Sequence, residues 1–113
     1  MIELRKAQRP NVNWRCGIKM PDGHILLVKA VNVSAEGLVV LSTEQLQISH
    51  VYPVVLEVPD IQDGLDLSLV NCHGLIRHAI LAEGTYRCNV HLRELSGLHR
   101  ELLNAWVSKA NRK

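Results

Sequence analysis

The sequence predicts a mainly β protein, a small antiparallel barrel plugged or flanked by one C-terminal helix. About six short apolar runs alternate with turn signals, which is typical of small barrels. The apolar residues are mostly Val, Leu and Ile, with no Phe, and β-branched residues favour strands. After the last run the spacing of apolar residues changes from period two to a helical period. With 113 residues, 47% of them hydrophobic, we expect one domain around one core.

Five of the runs precede the last strand and are separated by short polar segments. Pro21-Asp22-Gly23 is a strong turn signature between the first two runs. Pro53 predicts an edge or bulge position in the fourth run, because proline has no N–H to donate to a neighbouring strand. These five predicted strands cover residues 14–20, 25–33, 38–42, 51–58 and 65–76.

The sixth run, residues 86–95, has the clearest strand pattern in the chain. Its apolar positions are Tyr86, Cys88, Val90 and Leu92, and its polar positions are Arg87, Asn89, His91 and Arg93. This alternation predicts one face against the core and one in solvent.

A helix is predicted at residues 96–111. Ser96 can cap its N-terminus, and the helix dipole favours Lys109, Arg112 and Lys113 at its C-terminal end. Its apolar arc would contain Leu98, Leu102, Leu103, Trp106 and Val107, with Arg100, Glu101, Asn104 and Ser108 opposite.

Charge is distributed unevenly, although the net charge is only +2. That total is too small for a protein that wraps DNA or a basic membrane-surface helix. The N-terminal arm, residues 1–11, is basic, and no acidic residue lies between Arg5 and Arg15. The arm has little to bury and its charges repel one another, so we expect it to be mobile without ligand.

The cysteines and the N-terminus favour a cytoplasmic location. Three cysteines leave an odd thiol and no disulfide framework. No apolar stretch approaches the roughly 20 residues of a membrane helix, and residues 1–10 lack the apolar core of a signal peptide.

Two motifs carry possible chemistry, and the first is an R-x-x-x-R formed by Arg5 and Arg9. A guanidinium matches a phosphate, or the O6/N7 edge of guanine, with two hydrogen bonds, and it can stack on a base. In an extended arm the two arginines share a side and lie roughly 13 Å apart. That reach suits a ligand with two phosphates and two bases. A solvated basic tail is the alternative interpretation.

The second motif is an [DN]-x-S-x-x-G over residues 32–37, at the end of a predicted strand. Asn32 and Ser34 are expected on one face because strand side chains alternate. Gly37 would permit a positive φ where the chain reverses. The Asn32 amide oxygen can accept from N1–H and N2–H of guanine, and Ser34 can accept or donate. An ordinary hairpin turn is the alternative, since Asn, Ser and Gly are common turn residues.

Together and in this order the two motifs resemble the PilZ family of cyclic di-GMP receptors, with Asn32 following Arg9 by 23 positions. The resemblance covers nearly the whole chain and implies one PilZ-like domain over residues 1–113. Its parts would be the basic arm at 1–11, the barrel at 12–95 and the C-terminal helix at 96–111. It implies a six-stranded antiparallel β-barrel whose arm wraps cyclic di-GMP against the barrel. By the family pattern Arg5 and Arg9 grip guanine and phosphate, while Asn32, Ser34 and Gly37 shape the guanine seat.

The resemblance further implies a bacterial, non-catalytic receptor with no cofactor, which relays binding by ordering of its arm to a downstream protein partner. Family members often have Gly and Phe in the last strand, where this chain has Asn89 and Leu92, so that strand should pack differently. A PilZ-like adaptor that binds a protein without nucleotide is the alternative.

Other functional classes find little support in the sequence. An enzyme is disfavoured because there is no G-x-S-x-G elbow and the six histidines are scattered. A metal site is disfavoured because Cys72 and His73, like Cys88 and His91, fall on opposite strand faces. Nucleic-acid-binding barrels use stacking aromatics among basic residues, and the few aromatics here are dispersed. We therefore expect neither nucleic-acid binding nor membrane insertion.

Overall fold

A computed structural model describes residues 10–62 and 64–110 of the chain. Six strands precede one helix, and the strands lie close to the predicted runs. They are β1 (Asn11–Lys19), β2 (Ile25–Val33), β3 (Gly37–Ser42), β4 (Val51–Pro59), β5 (Leu67–Ala82) and β6 (Thr85–Arg93), followed by α1 (Gly97–Ala110). No helix among the described residues is long and apolar enough to cross a membrane.

The strands form a closed antiparallel barrel in the order β1-β2-β3-β6-β5-β4. The predicted six-stranded barrel is therefore confirmed. Closure between β1 and β4 is short, covering only the pairs of Cys16, Gly17 and Ile18 with Leu56, Val55 and Val54. Pro53 lies just outside this seam and pairs only with His73 of β5. Its missing N–H therefore costs no hydrogen bond to β1.

Alternation along each strand builds the core inside the barrel. In β6 Cys88, Val90 and Leu92 are buried, whereas Arg87 and Asn89 are exposed, as the period-two pattern predicts. The inward residues of neighbouring strands meet at matched registers, for example Leu38 with Val90. Branched aliphatic residues thus fill most of the interior, together with the buried rings of Trp14 and Tyr52. The largest fully buried side chains are Ile18, Leu38, Leu46, Leu56, Ile76 and Leu103.

The helix covers one side of the barrel through a small set of contacts. Ser96 caps it as predicted, with its Oγ accepting from the His99 N–H at 3.1 Å. Leu103 is completely buried, and Trp106 meets Trp14 edge to face with ring centroids 5.3 Å apart. The Trp106 Nε1–H also donates to the Pro59 carbonyl oxygen at 3.2 Å.

The helix prediction was wrong in one respect, because Leu98 is 75% exposed and does not contribute to the apolar face. Leu98 lies in the first turn of α1, ahead of the part that packs on the barrel. The strand ends also differ from the prediction. β5 continues to Ala82, well beyond residue 76, and β1 begins at Asn11, which the sequence assigned to the arm. Extension of β5 follows from its pairing with β6 up to Ala82–Thr85.

Candidate ligand-binding site

Asn32 lies on the outer surface of the barrel because of a bulge in β2. The register shifts between Ala30 and Asn32, leaving Val31 as the extra residue. Ala30 and Val33 both point into the core with no exposed surface. The extra residue thus turns Asn32 outward, where it is half-buried. Its amide makes no hydrogen bond to another described residue.

Ser34 is part of the β2–β3 turn, and its hydroxyl holds that turn closed. The Ser34 Oγ accepts from the backbone N–H groups of Glu36 and Gly37, both at 3.2 Å. It donates to the Gly37 carbonyl oxygen at 3.3 Å, while the Ser34 N–H donates to the same oxygen at 2.9 Å. These bonds use the one donor and both acceptor positions of a hydroxyl. In this conformation Ser34 shapes the site by fixing the turn.

Gly37 does not have the positive φ that the sequence predicted. Within residues 10–62 and 64–110, the glycines with positive φ are Gly23, Gly64 and Gly84. Gly37 instead begins β3 in extended geometry and pairs with His91 of β6. The Ser34 hydroxyl closes the turn, so no left-handed residue is needed there. The turn is also held from β6, because the Leu92 N–H donates to the Glu36 carbonyl oxygen at 2.9 Å.

The chain enters the barrel beside Asn32. Asn11 of β1 is paired with Asn32, and the Val33 N–H donates to the Pro10 carbonyl oxygen at 3.4 Å. Pro10, the first described residue, is buried and directly follows Arg9 in the sequence. The segment that follows the arginine motif in the sequence therefore pairs with the strand that carries Asn32. Arg5 and Arg9 themselves lie outside the described residues.

A row of positions outside the core cluster continues from Asn32 around the barrel, with Val39 buried at 6% exposure and Asn89 and His78 exposed. Register pairs Asn32 with Val39 of β3, Val39 with Asn89 of β6, and Asn89 with His78 of β5. Directly opposite residues share a face of the sheet. Strands lie about 4.8 Å apart, so the cross-strand row of these four residues spans roughly 14 Å. This length is close to the separation of roughly 13 Å estimated between Arg5 and Arg9 in an extended arm.

An open groove of about 460 Å³ covers the β6 and β5 part of this row and extends to the β2–β3 turn. One side is the β2–β3 turn, with Glu36 and Gly37, and the other is β5, with Arg77 and His78. Its floor includes Asn89 and His91 of β6. Sequence patterns did not predict this groove, although a break in alternation at Arg77-His78 was visible in β5.

The described residues offer little for metal binding or nucleophilic catalysis. They contain no group of three or more His, Cys, Asp and Glu side chains that could hold a metal ion. Cys16, Cys72 and Cys88 are buried free thiols. Burial raises the pKa of Cys16 to about 12 and that of Cys72 to about 11, so both stay protonated near neutral pH.

Comparison with known proteins points to one fold. Over 96% of the chain, the structure superposes with a TM-score of 0.78 on the inhibitor of motility MotI/DgrA of Bacillus subtilis, at 13% identity and over 52% of that chain. Apo MrkH of K. pneumonia matches with a TM-score of 0.71, 13% identity, 96% coverage of this chain and 51% of that chain. The PilZ domain of YcgR from Escherichia coli, solved with c-di-GMP, matches with a TM-score of 0.63 and 17% identity. That match covers 95% of this chain and 91% of that one.

The chain has a PilZ-like fold. The match to YcgR decides this, because it pairs nearly the full length of both chains. The PilZ-like chain spans about half the length of MotI/DgrA and MrkH. No family model matches the sequence, and no curated protein matches it. At identities of 13 to 17% the PilZ-like fold is established by shape, with few residues in common.

Proposed function

We propose that this PilZ-like domain is a non-catalytic receptor for cyclic di-GMP. The observation that carries the proposal is the pairing of Pro10 and Asn11 with Val33 and Asn32. The arginine motif is connected through Pro10 to the strand that presents Asn32. A Cα–Cα step is 3.8 Å, so Arg9 is within reach of a ligand seated at the turn. The YcgR domain of the same fold, solved with c-di-GMP, supports this ligand.

Each motif residue then has a distinct task. Arg5 and Arg9 supply planar, charged donors for phosphate and guanine. Asn32 offers an outward amide to the N1–H and N2–H of guanine, and Ser34 holds the turn beside it. Gly37 gives the ligand close access to the backbone at the start of β3, since it carries no side chain. No step of this recognition requires a metal or a reactive nucleophile.

The proposal predicts saturable binding of cyclic di-GMP in the nanomolar to micromolar range, roughly −8 to −12 kcal/mol. GTP and cyclic GMP, each with one guanine, should bind far more weakly because they cannot occupy both ends of the site. Calorimetric titration of the full chain with the three nucleotides checks this, and the cyclic di-GMP should be recovered intact. Equal affinity for GTP would contradict the proposal. Absence of binding would favour the adaptor alternative.

Ordering of the arm is the proposed relay, and it concerns residues 1–9, outside the described ranges. Two phosphates placed between Arg5, Arg9 and the turn would cancel the repulsion among the basic side chains. The arm and ligand together would then form a new surface for a downstream protein. We expect saturating cyclic di-GMP to slow trypsin cleavage after Arg5 and Lys6 severalfold; the bond after Arg9 is not a trypsin site because Pro10 follows it. Cleavage after Lys29, in the barrel, is the internal control. Unchanged cleavage of the arm in ligand-saturated protein would exclude this relay while leaving binding intact.

A further inference from the structure

We infer that the groove between the β2–β3 turn and β5 seats a guanine base of the bound dinucleotide, with Arg77 and Glu36 as its specificity-determining residues. The inference rests on the proposed function and adds Arg77, which lies outside both motifs, and Glu36, which occupies an unspecified position of the second motif.

A bulge in β5 places Arg77 at the groove. Ile76 pairs with Val90 and His78 pairs with Asn89, so Arg77 is the extra residue. Ile76 points into the core, and simple alternation would bring His78 to the same face. The bulge instead leaves Arg77 and His78 both exposed. Bulges re-aim side chains in this way beside binding sites.

Arg77 is uncommitted within the described part of the chain. Its guanidinium makes no ion pair or hydrogen bond with residues 10–62 or 64–110. Glu36, across the groove, is also exposed, and its carboxylate has no ion-pair partner in the same ranges. A structural role for these two side chains would normally show as a mutual ion pair at 4 Å or less. Their separation leaves room for a ligand between them.

The opposite charges on the two walls match guanine better than phosphate. Guanine carries acceptors at O6 and N7, which suit the fork of an arginine. Its N1–H and N2–H are donors, which suit a carboxylate. A phosphate has acceptors only and would be repelled by Glu36. Adenine keeps the N7 acceptor but has a donor at N6 and an acceptor at N1, so in the same orientation it would lose one of the two bonds to Arg77 and present an acceptor to the Glu36 carboxylate.

The position of the groove agrees with a two-base ligand. The cross-strand row leads from Asn32 to His78 over roughly 14 Å, with both ends on one outer face of the barrel. One guanine at Asn32 and the other over the β6 and β5 part of the groove would place the phosphates between them. The groove volume of about 460 Å³ falls within the range of small-molecule sites.

The test is titration of cyclic di-GMP and cyclic di-AMP into the full chain and two arginine variants. Arg77→Ala should weaken cyclic di-GMP binding by about 5- to 150-fold, the value of one bidentate arginine–guanine contact. It should also reduce the preference over cyclic di-AMP. Arg87→Ala is the matched control, because Arg87 is exposed on the adjacent strand but does not line the groove. Equal weakening by both variants, or none by Arg77→Ala, would overturn the inference.

Glu36→Ala separates a guanine seat from a phosphate seat by the sign of its effect. If the carboxylate accepts from guanine, the variant binds cyclic di-GMP severalfold more weakly. If the groove holds phosphate, removal of a negative charge strengthens binding, and the base assignment is wrong. The backbone N–H of residue 36 still donates to Ser34, so the turn should persist. Failure of the parent chain to bind any cyclic dinucleotide would instead refute the proposed function itself.

Discussion

Arg9→Ala should weaken cyclic di-GMP binding by about 30- to 900-fold. The estimate corresponds to a loss of roughly 2 to 4 kcal/mol for one charge-assisted, bidentate contact whose partner is left unpaired. Arg9 directly precedes Pro10, and the Pro10 carbonyl oxygen accepts from Val33 of β2, next to Asn32. This position in the sequence favours contact between the Arg9 side chain and a ligand bound at Asn32. Calorimetric titration of parent and variant measures the effect. Arg5→Ala should act in the same direction.

Two further variants show whether shape or charge matters at Arg9. Arg9→Lys keeps the charge but loses the planar fork, so it should also weaken binding. Arg100→Ala removes a positive charge from the exposed side of α1 and should leave affinity unchanged. All three should melt at the parent temperature. An Arg9→Ala protein that titrates like the parent would show that the family motif does not transfer at this position.

Leu103→Ala should lower the free energy of unfolding by about 2 to 5 kcal/mol, as expected when a fully buried leucine is truncated. Leu103 is the helix residue with no exposed surface, whereas Leu102 and Trp106 are half-buried. Its truncation leaves a cavity beneath α1, where the helix contacts the barrel. Denaturant unfolding measures the change. The melting temperature should fall by roughly 10 °C or more.

Leu98→Ala is the matched control, since it makes the same substitution in the same helix at a side chain that is 75% exposed. A change within about 0.5 kcal/mol is expected there. Equal destabilisation by both substitutions would contradict the assignment of Leu103 as the main packing contact of α1, because alanine has the higher helix propensity and propensity alone would not destabilise either variant. Cyclic di-GMP binding by Leu103→Ala should be retained while the barrel stays folded, because the helix does not line the groove.

The fold could be predicted from the sequence because strand periodicity is a local signal. Alternation in β6 identified the inward residues Cys88, Val90 and Leu92 correctly, and Ser96 marked the start of the helix. The end of β5 could not be predicted, because residues 77–82 extend only through pairing with β6. Leu98 was misassigned because its spacing fits the helical arc, although the barrel does not extend to the first turn.

The assignment of Arg5, Arg9, Asn32, Ser34 and Gly37 to ligand binding stays a prediction, but the structure does show the geometry of the second motif. The motif residues Asn32, Ser34 and Gly37 do lie together at the β2–β3 turn. Their conformations differ from the prediction. The Ser34 hydroxyl forms hydrogen bonds within the turn, and Gly37 is extended and does not have a positive φ. The bulges that turn Asn32 and Arg77 outward each contain one extra residue in the strand pairing, and the partner residues of that pairing cannot be read from a single sequence.

The sequence by itself determined the strands, the helix and the two motifs, because these depend on side-chain type and short-range spacing. Only the tertiary structure decided that Pro10 joins β2 beside Asn32, and that Glu36 faces Arg77 across a groove. The residues of that groove are about 40 positions apart in the chain and meet through the registers of β3, β6 and β5. The register of each strand is set by closure of the whole barrel, because every strand must form backbone hydrogen bonds with two neighbouring strands at once.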